Sequence, residues 1–134
     1  MPYGNLNADV VQSSTANTPV QFNDGNGVQV GTLCRAWVCF NGTTGARNGS
    51  FNVSSVTRNG TGDYTVNFAT AMTDVNYVTV TSAAYTSTAA APTRTATMYT
   101  PSKATSSCRV IYGYTFSGGY STEDASEGYI SIFR

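Results

Sequence analysis

Hydrophobic residues in this chain recur at every second position rather than every third or fourth. Tyr64, Val66 and Phe68 alternate with Thr65 and Asn67, and Val110, Tyr112, Tyr114 and Phe116 share one register behind Cys108. Period two is the mark of a half-buried β-strand. The same pattern predicts strands over residues 33–40, 50–57, 64–68, 76–81, 93–100, 108–116 and 128–134. Turn signals fall between them. Asn41-Gly42-Thr43-Thr44-Gly45, Asn59-Gly60-Thr61-Gly62, Pro92, Pro101 and Ser117-Gly118-Gly119 all lie outside the runs, and Asn-Gly steps tolerate the positive φ that tight hairpins need. In 50–57, Phe51 and Val53 share a face but Val56 has the opposite parity, which predicts a bulge or bend near Ser54-Ser55. The fold class expected is all-β, an antiparallel sandwich or knob.

The run from Leu33 to Phe40 differs from the others. One face carries Leu33, Arg35, Trp37 and Cys39, the other Cys34, Ala36, Val38 and Phe40. With both faces mostly apolar, the strand is expected to be covered on two sides, in a sandwich or at a subunit contact, with Trp37 buried. Tyr112 and Phe116 are expected in the core. Residues 1–32 are more polar, with short apolar pairs at Val10-Val11, Val20 and Phe22, and Val28 and Val30. Asn23-Asp24-Gly25-Asn26-Gly27 predicts a hairpin between the last two pairs. A segment this sparse in apolar residues is expected to attach to a larger body, so the chain divides into an attachment segment, 1–32, and a knob, 33–134.

Composition sharpens this picture. Leu occurs twice and Lys once, while Thr supplies 21 of the 134 positions and Ser 14. Helix formers are scarce and strand formers plentiful. Only 10% of residues are charged, seven of each sign, and there is no His. An imidazole base, a Ser-His-Asp system and a His-ligated zinc are therefore out of reach. Charge balance without a basic cluster argues against nucleic acid, whose phosphates must be neutralised by Lys and Arg. No apolar run approaches the ~18 residues that span a bilayer, and the first residues lack the basic start and apolar stretch of a signal peptide. Cys34 and Cys39 lie five apart in one strand, point to opposite faces and cannot bridge each other. Cys108 can meet only one of them. Three unpaired structural thiols are expected, as in a protein assembled in a reducing cytosol.

Candidate chemistry is thin. Glu123, Asp124 and Glu127 form the densest acidic cluster; a glycosidase needs two carboxylates ~5–10 Å apart with one raised pKa, and a solvated surface loop is the expected reading. The Asn23–Gly27 stretch has oxygen ligands but lacks the EF-hand spacing. No metal, cofactor or enzymatic activity is expected. Sequons at Asn41, Asn48, Asn52 and Asn59 are assigned no function. The nine Tyr and six Phe are more informative, because a surface Tyr offers a flat apolar face and one hydroxyl to sugar rings or protein partners. Tyr85, Tyr99, Tyr114 and Tyr120, at loop or strand-edge positions, are the candidates for such a contact.

The block from Cys34 to Val78, CRAWVCFNGTTGARNGSFNVSSVTRNGTGDYTVNFATAMTDVNYV, resembles small tail-fibre-type proteins of phages and prophages, abundant in marine and cyanobacterial phages. Their pattern looks like CRAWVxFNGT, then SFNVSSVTxNGTGDYTVNF, with a close in IFR that Ile132-Phe133-Arg134 matches. Residues 3–9 and 31–33 also look like leaders of free-standing members. Cys39 stands where such proteins often carry Asn, and residues 79–128 do not align. The resemblance implies a virion surface component assembled in the host cytoplasm, commonly a homotrimer, whose C-terminal body is a knob. The expected role is a tail-fibre tip that binds a host surface glycan or protein. The alternative is a structural part, a capsid decoration or tail adaptor, anchored to other virion proteins through residues 1–32 by Val10, Val11, Val20 and Phe22; a free-standing Met1 start favours it. Neither reading involves nucleic acid or membrane insertion.

Overall fold

The computed structural model describes Gln12 and residues 21–23, 28–30, 34–86, 94–98 and 103–134. The chain forms two compact units, Met1–Leu33 and Cys34–Arg134. In the first, β1 (Gln21–Asn23) and β2 (Val28–Val30) pair antiparallel with Gln21 opposite Val30, the hairpin expected there. Val10, Val11 and Val20 lie outside the described residues.

The second unit is all-β, with no helix among its described residues. Its strands are β3 (Cys34–Asn41), β4 (Arg47–Phe51), β5 (Val53–Gly60), β6 (Asp63–Phe68), β7 (Val78–Ala84), β8 (Arg94–Met98), β9 (Ser107–Phe116), β10 (Gly119–Thr122) and β11 (Glu127–Phe133). One antiparallel sheet has the order β4-β3-β11-β7. The other joins β5, β6 and β9, with β8 and β10 also paired to β9. At Tyr112 one edge of β9 passes from β6 to β10. Its amide donates to the Gly62 carbonyl at 2.7 Å and its carbonyl accepts from the Glu123 amide at 3.1 Å, and both groups of a strand residue face the same edge. β8 therefore takes the opposite edge.

Alternation builds the core between the sheets. Ala36, Val38 and Phe40 of β3 and Ile130 and Ile132 of β11 face Val53, Tyr64, Val66, Phe68, Cys108, Val110 and Tyr112, closed below by Met72 and Tyr77. Phe40, Tyr64 and Tyr112 form an aromatic triangle with centroids 4.9, 5.6 and 6.2 Å apart, and Phe68 meets Tyr77 edge-on at 5.8 Å. Burial pushes the Cys108 thiol up to about 12, and all three cysteines are free.

Several expectations are corrected. The run 50–57 is two strands in different sheets. The chain changes sheet at Asn52, whose φ is +53°, a conformation Asn tolerates better than most residues. Its side chain stitches the corner: Nδ2 donates to the Arg35 and Thr70 carbonyls at 3.0 and 3.1 Å, and Oδ1 accepts from the Thr70 amide at 2.7 Å. The bulge foreseen at Ser54-Ser55 is present as a register shift between Val53 and Ser55. The following hairpin turns at Thr61-Gly62 rather than Asn59-Gly60, since Gly60 pairs with Asp63. Gly62 has φ +68°, and a Cβ there would lie 2.3 Å from the Tyr112 carbonyl oxygen. Trp37 and Phe116 are not core residues; they are 42% and 49% exposed. For Trp37 the reason is that the sandwich covers only the Ala36-Val38-Phe40 face of β3. For Phe116 it is that β9 runs on past the end of the core.

Candidate functional site

The overrun of β9 carries an exposed hairpin. β9 and β10 join through Ser117-Gly118, with Phe116 opposite Gly119 and Ser121 opposite Tyr114. Every residue from Thr115 to Tyr120 is exposed. Tyr114 and Phe116 keep the parity of the core residues before them and form a tilted pair with centroids 5.9 Å apart. Tyr120 occupies the opposite face. Its ring lies across Gly113, where a Cβ would meet the phenol oxygen at 2.4 Å. Phe116 likewise lies against Gly118, where a Cβ would come within 2.7 Å of the ring. Each ring is laid against a glycine. Half of the Phe116 and Tyr120 surface remains open, at 49% and 48% exposure.

Of the four sequence-derived tyrosines, Tyr114 and Tyr120 thus share one hairpin on opposite faces. Tyr85 follows β7, half-buried, with its hydroxyl shielded from solvent. Tyr99 lies outside the described residues. Phe22 sits in β1. Phe116 was missed as a surface aromatic because its alternation with Tyr112 and Tyr114 is that of a core residue.

The acidic stretch 123–127 is not a loop of unpartnered acids. Asp124 receives Arg58 Nη2 at 2.6 Å and Nε at 3.2 Å, the Gly62 amide at 2.8 Å and the Tyr64 hydroxyl at 2.8 Å. The Tyr64 oxygen is also 2.7 Å from the Gly42 carbonyl, so one phenolic proton lies between two acceptors. Burial works against the Asp124 charge, but Arg58, the Gly62 amide and Tyr64 together hold its carboxyl below the usual carboxylate range. Burial, then the neighbouring carboxylate, raises the Tyr64 phenol. This cluster ties β5, β6, the Gly42 turn and the chain before β11 together. Glu127 is held as well, accepting from Asn48 Nδ2 at 2.9 Å and the Tyr129 hydroxyl at 2.6 Å. Sequence reasoning missed these partners because all but Tyr129, which shares β11 with Glu127, lie at least 60 positions away.

The two outward sheet faces differ in chemistry. On β5, β6 and β9, Asn67 Nδ2 donates to Ser55 at 2.9 Å and Thr57 at 3.2 Å, and Asn59 Nδ2 to Thr65 at 2.9 Å and Asp63 at 3.1 Å. Arg109 closes a two-pronged ion pair on Asp63, with Nε donating at 2.7 Å. The outer face of β4-β3-β11-β7 instead presents Trp37, Phe51, Val78 and Val80 at 42–63% exposure. Trp37 is opposite Phe51 on one side and Ser131 on the other, and Ser131 is opposite Val80. The apolar residues thus lie in one row across the sheet, interrupted on β11 by Ser131.

Among the described residues no group of three or more His, Cys, Asp or Glu side chains is placed to hold a metal ion, and no helix is long and apolar enough to cross a membrane. Comparison with protein-family models, with curated proteins and with solved structures gives no match to this chain.

Proposed function

We propose that this chain is a phage virion surface knob that adheres to the host through the β9–β10 hairpin. The observation that carries the reading is that hairpin: Phe116 and Tyr120 lie half-open against glycines, with Tyr114 beside Phe116. Flat aromatic surfaces bind sugar rings or protein loops at low entropic cost because the rings have little freedom to lose. The resemblance supports the same division of labour. Its block, Cys34 to Val78, supplies β3 to β6, strands of both sheets, whereas the hairpin falls in the stretch that does not align. Scaffold is shared and the tip is this chain's own. Knobs of this type act in several copies, three in the proteins the chain resembles, so weak single contacts multiply. The N-terminal unit, with Val10, Val11, Val20 and Phe22, attaches the knob to other virion proteins.

The test is binding of fluorescently labelled protein to a panel of bacterial cells, cyanobacteria among them. Phe116→Ala with Tyr120→Ala is expected to cut the bound signal roughly tenfold or more, since aromatic anchors dominate such contacts, with the melting temperature nearly unchanged. Retained binding would overturn the reading. The apolar face of β4-β3-β11-β7 favours a second one, a structural virion part packed against its neighbours. Absence of cell binding at micromolar concentration, with the protein located on capsid or tail by electron microscopy, would establish that role instead.

A further inference from the structure

The outer face of β4-β3-β11-β7 carries more apolar surface than a free sheet face needs, and its charges indicate what covers it. We propose that this face docks on the same face of a second copy, turned end for end about a two-fold axis. The proposal shares with the reading above only the association of copies, and it makes this chain a pair where the proteins it resembles are commonly three-fold.

Size comes first. Four strands about 4.8 Å apart and seven residues at about 3.4 Å each make a face of roughly 19 by 24 Å, on the order of 450 Å² in projection. Two such faces meeting reach about the ~1,000 Å² total that separates specific interfaces from incidental ones. Apolar side chains cross the face from edge to edge, with Phe51 at 55% exposure on β4, Trp37 at 42% on β3, and Val80 at 59% and Val78 at 63% on β7.

Charge selects the partner and its direction. Arg35 stands at one end of the face on β3 and is exposed, and among the described residues it makes no ion pair. Glu127 stands at the other end, on the adjacent strand β11, opposite Asn41. Its two oxygens accept from Asn48 and Tyr129, both neutral donors, so the carboxylate is held in place without a cation. Along β3 the two charges are six residues apart, about 20 Å. A two-fold axis midway between them passes among Trp37, Cys39, Tyr129 and Ser131. Rotation about it lays Arg35 of one copy over Glu127 of the other, twice per pair, with the apolar row closed between. An arrangement with the strands of both copies running the same way sets Arg35 beside Arg35 and Glu127 beside Glu127. A contact of the same patch with itself also closes, leaving no open face to propagate.

Sedimentation velocity on the full chain is expected to give the mass of two copies at micromolar concentration. Trp37→Asp should return it to one copy, with the circular dichroism spectrum kept. Arg35→Glu and Glu127→Arg are each expected to weaken pairing by about tenfold or more, as like charges oppose across the interface. The double swap, Arg35→Glu with Glu127→Arg, should restore it to within a few-fold. Glu127→Gln, which removes the charge and keeps one of the two acceptor oxygens, serves if the Arg variant fails to fold, and should also weaken pairing. A single copy, a three-copy mass, or a double swap that does not restore pairing would overturn the proposal. Cell binding separates this from the adhesive reading. A pair that ignores cells sinks adhesion alone, and a one-copy or three-copy protein that binds them sinks the pairing alone.

Discussion

The two outer faces of this sandwich are built on the same alternation and end in opposite states. On β5-β6-β9 most outward positions are Ser, Thr, Asn, Asp and Arg, Ile111 being an exception, and they hydrogen-bond across strands: Asn67 to Ser55 and Thr57, Asn59 to Thr65, Arg109 to Asp63. Such cross-strand pairs stabilise a sheet by fractions of a kcal/mol each and leave its surface content in water. On β4-β3-β11-β7 the outward positions include Trp37, Phe51, Val78 and Val80, for which water is a poor neighbour. A monomer seldom sets several large apolar side chains on one open sheet face without a use for them. The difference teaches that backbone pattern decides where a strand lies in a sheet, whereas the chemistry of its second face decides whether the domain ends there.

Three substitutions test that contrast. The largest effect belongs between the faces: Phe40→Ala opens the aromatic triangle with Tyr64 and Tyr112 and is expected to cost about 3–5 kcal/mol in chemical denaturation, in the range of buried aromatic truncations. Trp37→Ala, on the apolar face, should cost only about 1–2 kcal/mol at dilute concentration, less than that range because its ring is partly in water. Its deficit should grow with protein concentration, because only the wild type gains from association. A melting temperature independent of concentration in both proteins would mean that the two faces do not differ in function. The smallest effect belongs to the polar face. Asp63→Asn should cost under about 1 kcal/mol at neutral pH, as expected for a partly exposed ion pair. Its signature is in acid. Arg109, against the opposing effect of burial, and with help from Asn59, lowers the Asp63 carboxyl. A carboxyl lower in the folded chain than in the unfolded one stabilises above the unfolded value near ~3.9 and loses that contribution as pH falls through the folded value. Melting temperature should therefore fall below about pH 4 in the wild type and less steeply in Asp63→Asn. Trp37→Ala should leave that acid slope unchanged.

Much of the fold was legible. Tyr64, Val66 and Phe68 alternate without interruption, and their strand is where the pattern puts it. The bulge was legible from Val56 alone, because one residue of wrong parity requires an extra one in the ladder. The change of sheet at Asn52 was not. Its cause is an Asn side chain bonded to Arg35 and Thr70, 17 and 18 positions away. Nor was β10, whose Gly119–Thr122 has no hydrophobic pattern and is a strand only because β9 offers it an edge. The candidate site was half legible. Tyr114 and Tyr120 were singled out as aromatics that suit a surface, but Phe116 carried the parity of a core residue, and only the length of the core shows that it lies beyond the end.

By itself the sequence determined most of the strands, most of their turns and an all-β architecture, because side-chain period and turn chemistry act within a few residues. Which strands share a sheet, which face of β3 is covered, and what holds Asp124 were decided by tertiary structure alone. Those outcomes depend on groups brought together from distant parts of the chain, and burial is a property of that assembly rather than of any residue in it.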